Sequence, residues 1–241
     1  HYGGIIRDDP KKPKWKNRDT LILSKGHAAS VVFPILADKG FFPREEILKY
    51  ASREGILTPY AMNNVPGIES ITGSLGHGFG IAAGEAYAAR VDGLDAISYV
   101  IIGDGECHEG SIWENANFAA HHKLDNLVTF VDRNKLCTMG MVDDIMGIEP
   151  LEDKWNSFGW FTQRIDGHSF PDILNAINNI SVIRKKQKTT GFGKPAVIIA
   201  DTIKGKGISF MENRAEWHNK KPSEDQIVQA LIDLKIDHTI G

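Results

Sequence analysis

The chain has 241 residues, 41% of them hydrophobic and 24% charged, with a formal net charge of -3. That length suits one large α/β domain (1–241) rather than two, and the near-neutral charge gives no electrostatic case for nucleic acid or an anionic membrane. The only two cysteines, Cys107 and Cys137, exclude a multi-bridge disulfide framework, and no apolar run approaches a membrane span, so a reducing cytoplasm is the expected location.

The chain opens at His1 without a methionine or a signal-like segment, in what reads as the middle of an element, so further residues are expected upstream. Lys11 to Arg18 is basic and interrupted by Pro13, which predicts an extended surface connection. Helices are predicted over 28–39 and 43–53, the second with Pro43 at its first position and Glu45 and Glu46 in its first turn. The run Gly73-Ser74-Leu75-Gly76-His77-Gly78 then predicts a turn that brings backbone close to something. It leads into a helix of small residues over 79–90.

Apolar runs over 97–102, 127–131, 161–165 and 196–200 alternate with helical patterns over 111–122, 171–186 and 224–234. Short buried strands alternating with amphipathic helices predict right-handed βαβ units, hence an α/β fold with a mostly parallel twisted sheet and helices on both faces. The cluster Arg184, Lys185, Lys186 and Lys188 falls at a helix end, where cations favour the dipole.

Asp104, between Gly103 and Gly105, closes the 97–102 run, and Asn134 closes the 127–131 run. Both polar groups therefore fall just beyond strand ends, where parallel sheets bind ligands. One carboxylate, one amide carbonyl and a nearby backbone carbonyl suit Mg2+, which completes its octahedron of oxygens with phosphate and water. Taken alone, Gly-Asp-Gly is equally a structural turn, and an activated Asp104 would also serve as the nucleophile of a magnesium-dependent phosphohydrolase.

With Glu109-Gly110 downstream and Asp132-Arg133-Asn134-Lys135-Leu136 closing the next strand, this stretch resembles the thiamine diphosphate signature of transketolases. Ser24-Lys25-Gly26-His27-Ala28 is similar to the family's Ser-x-Gly-His-Ala turn. Thr72-Gly73-Ser74-Leu75-Gly76 is similar to its Thr-Gly-Ser-Leu-Gly loop, and Lys204-Gly205-Lys206-Gly207 with Glu216-Trp217-His218 to its cofactor-capping region. Four separated motifs in the right order cover nearly the whole chain, which resembles the diphosphate-binding (PP) domain of a transketolase encoded as two subunits.

The resemblance implies that Asp104, Asn134 and the Leu136 carbonyl hold Mg2+, with Ca2+ or Mn2+ as substitutes, and that Gly105 contacts the diphosphate through its backbone. Gly73, Ser74 and Leu75 would lie against thiamine diphosphate, with Ile203 as an apolar contact. His27 and His218 would flank the diphosphate and exchange protons with the substrate's oxygens, which requires hydrogen-bond reach and a pKa near neutrality. Glu109 and Glu114 match acids that link paired active sites through a proton network, although Glu109 also suits a first-turn acid that stabilises its helix. Lys204 and Lys220 would attract a phosphate or sulfonate terminus at the substrate entrance. His77 replaces a glutamine and reads as a helix-start or packing residue, and the two cysteines are not ligands.

The implied reaction is transfer of a two-carbon ketol unit from a ketose to an aldose, with thiamine diphosphate supplying the difficult chemistry. The implied partner is a C-terminal pyrimidine-binding subunit in an α2β2 heterotetramer, without which this chain is inactive. An upstream Gly-His motif is absent, and Tyr60 to Ile68 contains no Gly-His-Pro, so a sulfonated or branched donor sugar becomes an expectation. The competing readings are a 1-deoxyxylulose-5-phosphate synthase-like enzyme that decarboxylates pyruvate, and a non-catalytic cofactor-binding or assembly subunit.

Overall fold

The computed structural model describes residues 1, 3–191 and 193–236. Five strands form its main sheet: β1 (Thr20–Leu23), β2 (Ser98–Gly103), β3 (Leu127–Arg133), β6 (Phe161–Asp166) and β7 (Ala196–Asp201). Their spatial order is β1-β2-β3-β7-β6, and every pairing is parallel. A separate antiparallel hairpin pairs β4 (Leu136–Cys137) with β5 (Gly140–Met141).

Near-continuous apolar strands are what a parallel sheet covered on both faces requires. Side chains alternate across the sheet. Val100, Ile102, Val197 and Ile199 meet Phe79, Ala82 and Ala86 of α2 (His77–Val91), Ile112 and Ala116 of α3 (Gly110–His121), and Trp155 of α5 (Leu151–Ser157). On the opposite face, Leu23 and Ile101 pack with Val32, Phe33 and Leu36 of α1 (Ala29–Asp38). Tyr99, Val128 and Ile198 pack there with Ala176 and Ile180 of α6 (Phe170–Thr190). A short α4 (Val142–Met146) follows the hairpin, and α7 (Glu224–Asp233) closes the described chain.

Several elements depart from the sequence-based expectations. The helix predicted over 43–53 is a 3-10 segment, Arg44–Lys49, because the Glu46 carboxyl turns back to Lys49 and to the Ile56 amide, and Ala51 takes a positive φ of 56°. Strand β1 and the elements from β4 through α5 were not anticipated. The α6 helix is longer at both ends, from a Ser169 side-chain cap to Gly191 at φ 75°. Its terminal cations do more than meet the helix dipole: Arg184 and Lys188 pair with Asp95 at 2.9 and 2.5 Å. Among the described residues, no helix is long and apolar enough to cross a membrane.

Candidate functional site

The parallel registers bring four strand ends to one edge of the sheet. Gly103 lies level with Asp132, and Arg133 with Asp201, so β1, β2, β3 and β7 release Ser24, Asp104, Asn134 and Thr202 side by side. Lys25, His27, Leu75, Asp104, Gly105, Glu106, Asn134, Leu136, Lys204 and His218 all line a single cleft there. Gly26 fixes how closely its walls approach: a Cβ on it would lie 2.4 Å from the Thr72 carbonyl oxygen, and the Thr72 hydroxyl donates to the Leu23 carbonyl at 2.7 Å.

Asp104 is 2% exposed. Its Oδ1 accepts from the Gly105 amide at 2.8 Å and its Oδ2 from the Lys135 amide at 2.5 Å. Burial nevertheless dominates those donors and pushes its carboxyl above the usual aspartate range. Asn134 accepts from the Leu136 amide through Oδ1 at 3.1 Å and donates through Nδ2 to Asp132 at 3.2 Å. Asp132 also receives the Lys25 ammonium at 2.6 Å and the Thr202 hydroxyl at 2.5 Å. Burial opposes ionisation of Asp132, but Lys25, Thr202 and Asn134 together hold its pKa below the ordinary value.

In the same cleft His27 and His218 stack, with ring centroids 4.9 Å apart and planes inclined by 25°. His27 follows β1 in a 3-10 turn, Gly26–Ala28, and His218 ends another, Ala215–His218. The Lys204 Nζ lies 3.2 Å from His218 Nδ1. His27 is exposed as a residue, yet partial burial, then His218, Lys25 and Lys204, bring its pKa down to about 4. His218 is lowered by burial and then by Lys204 and Lys25, and Lys204 by burial and then by Lys25. Both imidazoles are therefore predominantly neutral near pH 7 and able to donate and accept hydrogen bonds.

The remaining sequence-predicted residues lie outside the cleft lining. Gly73 sits against Tyr60, Ser74 is exposed, and the Ile203 amide donates to His168 Nε2 at 2.8 Å. Lys220 lies 4.7 Å over the Trp217 ring, while Glu109 and Glu114 are exposed on and beside the start of α3. His77 is the first residue of α2 and its Nδ1 is 3.1 Å from the Leu75 carbonyl oxygen. Three cleft residues escaped sequence reasoning: Lys25, Glu106 and Thr138. Lys25 occupies the variable place in the Ser-x-Gly-His-Ala turn, and Glu106 adjoins Gly-Asp-Gly without itself being part of that recognised pattern.

The donor set fits a magnesium diphosphate. Among the described residues no three His, Cys, Asp or Glu side chains gather into a metal cage. Asp104 and Asn134 instead provide hard oxygens that carry further lone pairs, the incomplete set expected where phosphate oxygens finish the shell. Lys25 and Lys204 bring positive charge to the same cleft, and Gly105 presents backbone without a side chain; a Cβ there would lie 3.3 Å from that of Cys137.

Residues 2–239 match the family model described as transketolase, thiamine diphosphate binding domain. The chain is 43% identical over 236 residues to the 6-deoxy-6-sulfo-D-fructose transketolase subunit of a Clostridium species, covering 97% of this chain and 82% of that one. It is 39% identical over 233 residues to one of the subunits of the apulose-4-phosphate transketolase of Phocaeicola vulgatus, covering 97% of this chain and 80% of that one. In structure it resembles the transketolase of Campylobacter jejuni with a TM-score of 0.89 at 27% identity, covering 98% of this chain and 37% of that one.

Proposed function

The chain belongs to the transketolase family through its thiamine diphosphate-binding domain, and from that premise we propose that it is the diphosphate-binding subunit of a two-subunit transketolase. The observation that carries this reading is that the stacked His27–His218 pair and the Asp104–Asn134 oxygen set line one cleft. Asp104, Asn134 and the Leu136 carbonyl hold Mg2+. The Gly105 backbone and Lys25 meet the diphosphate, with Leu75 on the cofactor's flank and Gly73, Ser74 and Ile203 beside it outside the cleft lining. Thiamine diphosphate, when bound, supplies the electron sink needed to cleave and form the carbon-carbon bond.

The chain's own residues manage position and hydrogen bonding. The neutral His27 and His218 imidazoles hydrogen-bond the substrate's hydroxyl and carbonyl oxygens. The His27 pKa of about 4 lies below the near-neutral value expected from the sequence for proton exchange, so in this cleft its part is that of a hydrogen-bond donor and acceptor. Lys204 and Lys220 attract the anionic end of a sugar phosphate or sulfonate at the entrance. Support for such a substrate comes from the named sulfonated and phosphorylated ketoses of the two relatives.

A pyrimidine-binding subunit completes the site, in an α2β2 assembly whose active sites communicate through Glu109 and Glu114. The exposure of both carboxyls outside the cleft supports a role at that contact. The free thiols of Cys107 and Cys137 favour a reducing cytoplasm.

The test is an assay of the purified complex with thiamine diphosphate and Mg2+. Ketol transfer from a sulfonated or phosphorylated ketose to an aldose is expected, with no turnover by this chain alone. Rapid carbon dioxide release from pyruvate with a triose phosphate would overturn the reading in favour of a decarboxylating synthase.

A further inference from the structure

Glu106 is 2% exposed and touches three separate segments of the cleft wall. Its Oε1 accepts from the Ser24 hydroxyl and from the Gly76 amide at 2.8 Å, and its Oε2 accepts from the Gly103 amide at 3.0 Å. Each donor neighbours a residue that faces the cleft: Ser24 precedes Lys25 and His27, Gly76 follows Leu75, and Gly103 precedes Asp104. These segments are 82, 30 and 3 residues from Glu106 along the chain, so no local turn could hold them in common register.

We propose that Glu106 is a positioning residue that locks the histidine turn, the Gly73 loop and the Asp104 turn to one another, and that it controls cofactor affinity through them. The inference rests on the cofactor reading above.

The chemistry requires a carboxyl. All three partners are donors, and two of them are backbone amides that cannot reverse their polarity. A glutamine of the same shape offers one oxygen and one NH2. Turned one way, its NH2 meets the Gly103 amide; turned the other way, it meets the Gly76 amide. Either orientation leaves a buried N–H facing another donor, and only the Ser24 hydroxyl can rotate to adapt. Gly76 has little freedom to move away, since its φ is 81° and Ser111 and Glu109 fill the space where a Cβ would stand. The mismatch therefore reaches the Leu75 or Asp104 wall of the cleft.

The experiment compares the wild-type and Glu106→Gln complexes by calorimetric titration with thiamine diphosphate in Mg2+, well below the melting temperature of either. The variant is expected to bind about ten-fold more weakly or worse, as the loss of one buried hydrogen-bond acceptor implies. Hydrogen exchange should quicken at Gly76 or Gly103 while amides in the interior of β3 keep their protection. If wild type binds and Glu106→Gln binds within two-fold of it, the inference fails while the cofactor reading stands; if wild type itself does not bind, the cofactor reading fails. Should Glu106→Gln not fold, Ser24→Ala, which removes a single donor, decides the matter: a three-fold or greater loss of affinity supports the proposal, and unchanged affinity overturns it.

Discussion

The His27 and His218 rings stack 4.9 Å apart although they come from opposite ends of the chain, and each lowers its own tendency to carry a proton through burial in a cleft already holding Lys25 and Lys204. Titration of His27 by NMR in the cofactor-free chain should give a pKa of about 4, well under the ordinary 6.5. In His218→Ala the neighbouring ring is lost and His27 is uncovered, so its pKa should rise toward 6.5. The sign for stability follows from linkage. A folded pKa below the unfolded one means that the His27 contribution is complete above about 6.5 and is lost as pH falls from there toward about 4. A wild-type His27 pKa at or above 7 would remove the argument that this imidazole is neutral at pH 7.

Lys25 and Asp132 form a cross-strand link, joining the end of β1 to the end of β3 at 2.6 Å over the end of β2. Lys25→Met should destabilise the chain by about 1–3 kcal/mol, because Asp132 keeps Thr202 and Asn134 but loses its cation. Asp132 has a lowered folded pKa, so its stabilising contribution is present above the ordinary aspartate value and is lost as pH falls through the folded one. The gap between variant and wild type should therefore be widest near neutral pH and narrow in acid. Urea denaturation at a series of pH values measures it, and a gap that widens on acidification would refute the pairing.

How much of this site could be read from the sequence depended on whether each feature was local. Asp104 and Asn134 each follow an apolar run, so their placement beyond β2 and β3 followed from the alternation of strands and helices. Strand β1 is only Thr20–Leu23, too short to show a period, and it is identified by its pairing with β2 rather than by pattern. Glu106 is an ordinary acid in sequence. Its importance lies in contacts with Ser24 and Gly76, which are invisible until the fold brings them within reach. Likewise Lys25 looks like a solvated lysine until Asp132 arrives from 107 residues away. The Arg44–Lys49 segment failed as a helix for a local reason, the chain reversal at Ala51, that residue type alone did not signal.

Two glycines of neighbouring sequence should behave oppositely. Gly76 has φ 81°, and a Cβ there would lie 2.2 Å from Ser111 Oγ and 3.0 Å from the Glu109 Cβ. Gly76→Ala should destabilise by about 1–3 kcal/mol, the range for a non-glycine residue held in the left-handed region. Gly84 lies inside α2 with nothing within 4 Å of its virtual Cβ. Gly84→Ala should stabilise by about 0.5–1 kcal/mol through helix propensity. Thermal or urea denaturation of the chain checks both, and equal effects would show that the backbone between Leu75 and His77 is not constrained as described.

Removal of the metal-binding carboxylate is the most direct test of the cofactor end of the cleft. Asp104 is the only carboxylate proposed as a metal ligand, so Asp104→Ala should weaken metal-dependent thiamine diphosphate binding by at least about 100-fold, since loss of a mere supporting contact to a metal ligand already costs about 10–100-fold. Chelation of Mg2+ from the wild-type complex should reproduce the loss, and chelation should add nothing further in the variant. The substitution also strips acceptors from the Gly105 and Lys135 amides, so some loss of affinity would follow from loop disorder alone. Chelation separates the two causes, because it leaves both Asp104 acceptors in place for the Gly105 and Lys135 amides. Asp104→Asn, which sets its NH2 against one of those amides, should quicken exchange there and lose its metal dependence as well. Calorimetry showing undiminished, magnesium-dependent binding in either variant would move the metal away from Asp104 and with it the assignment of Asn134 and Leu136.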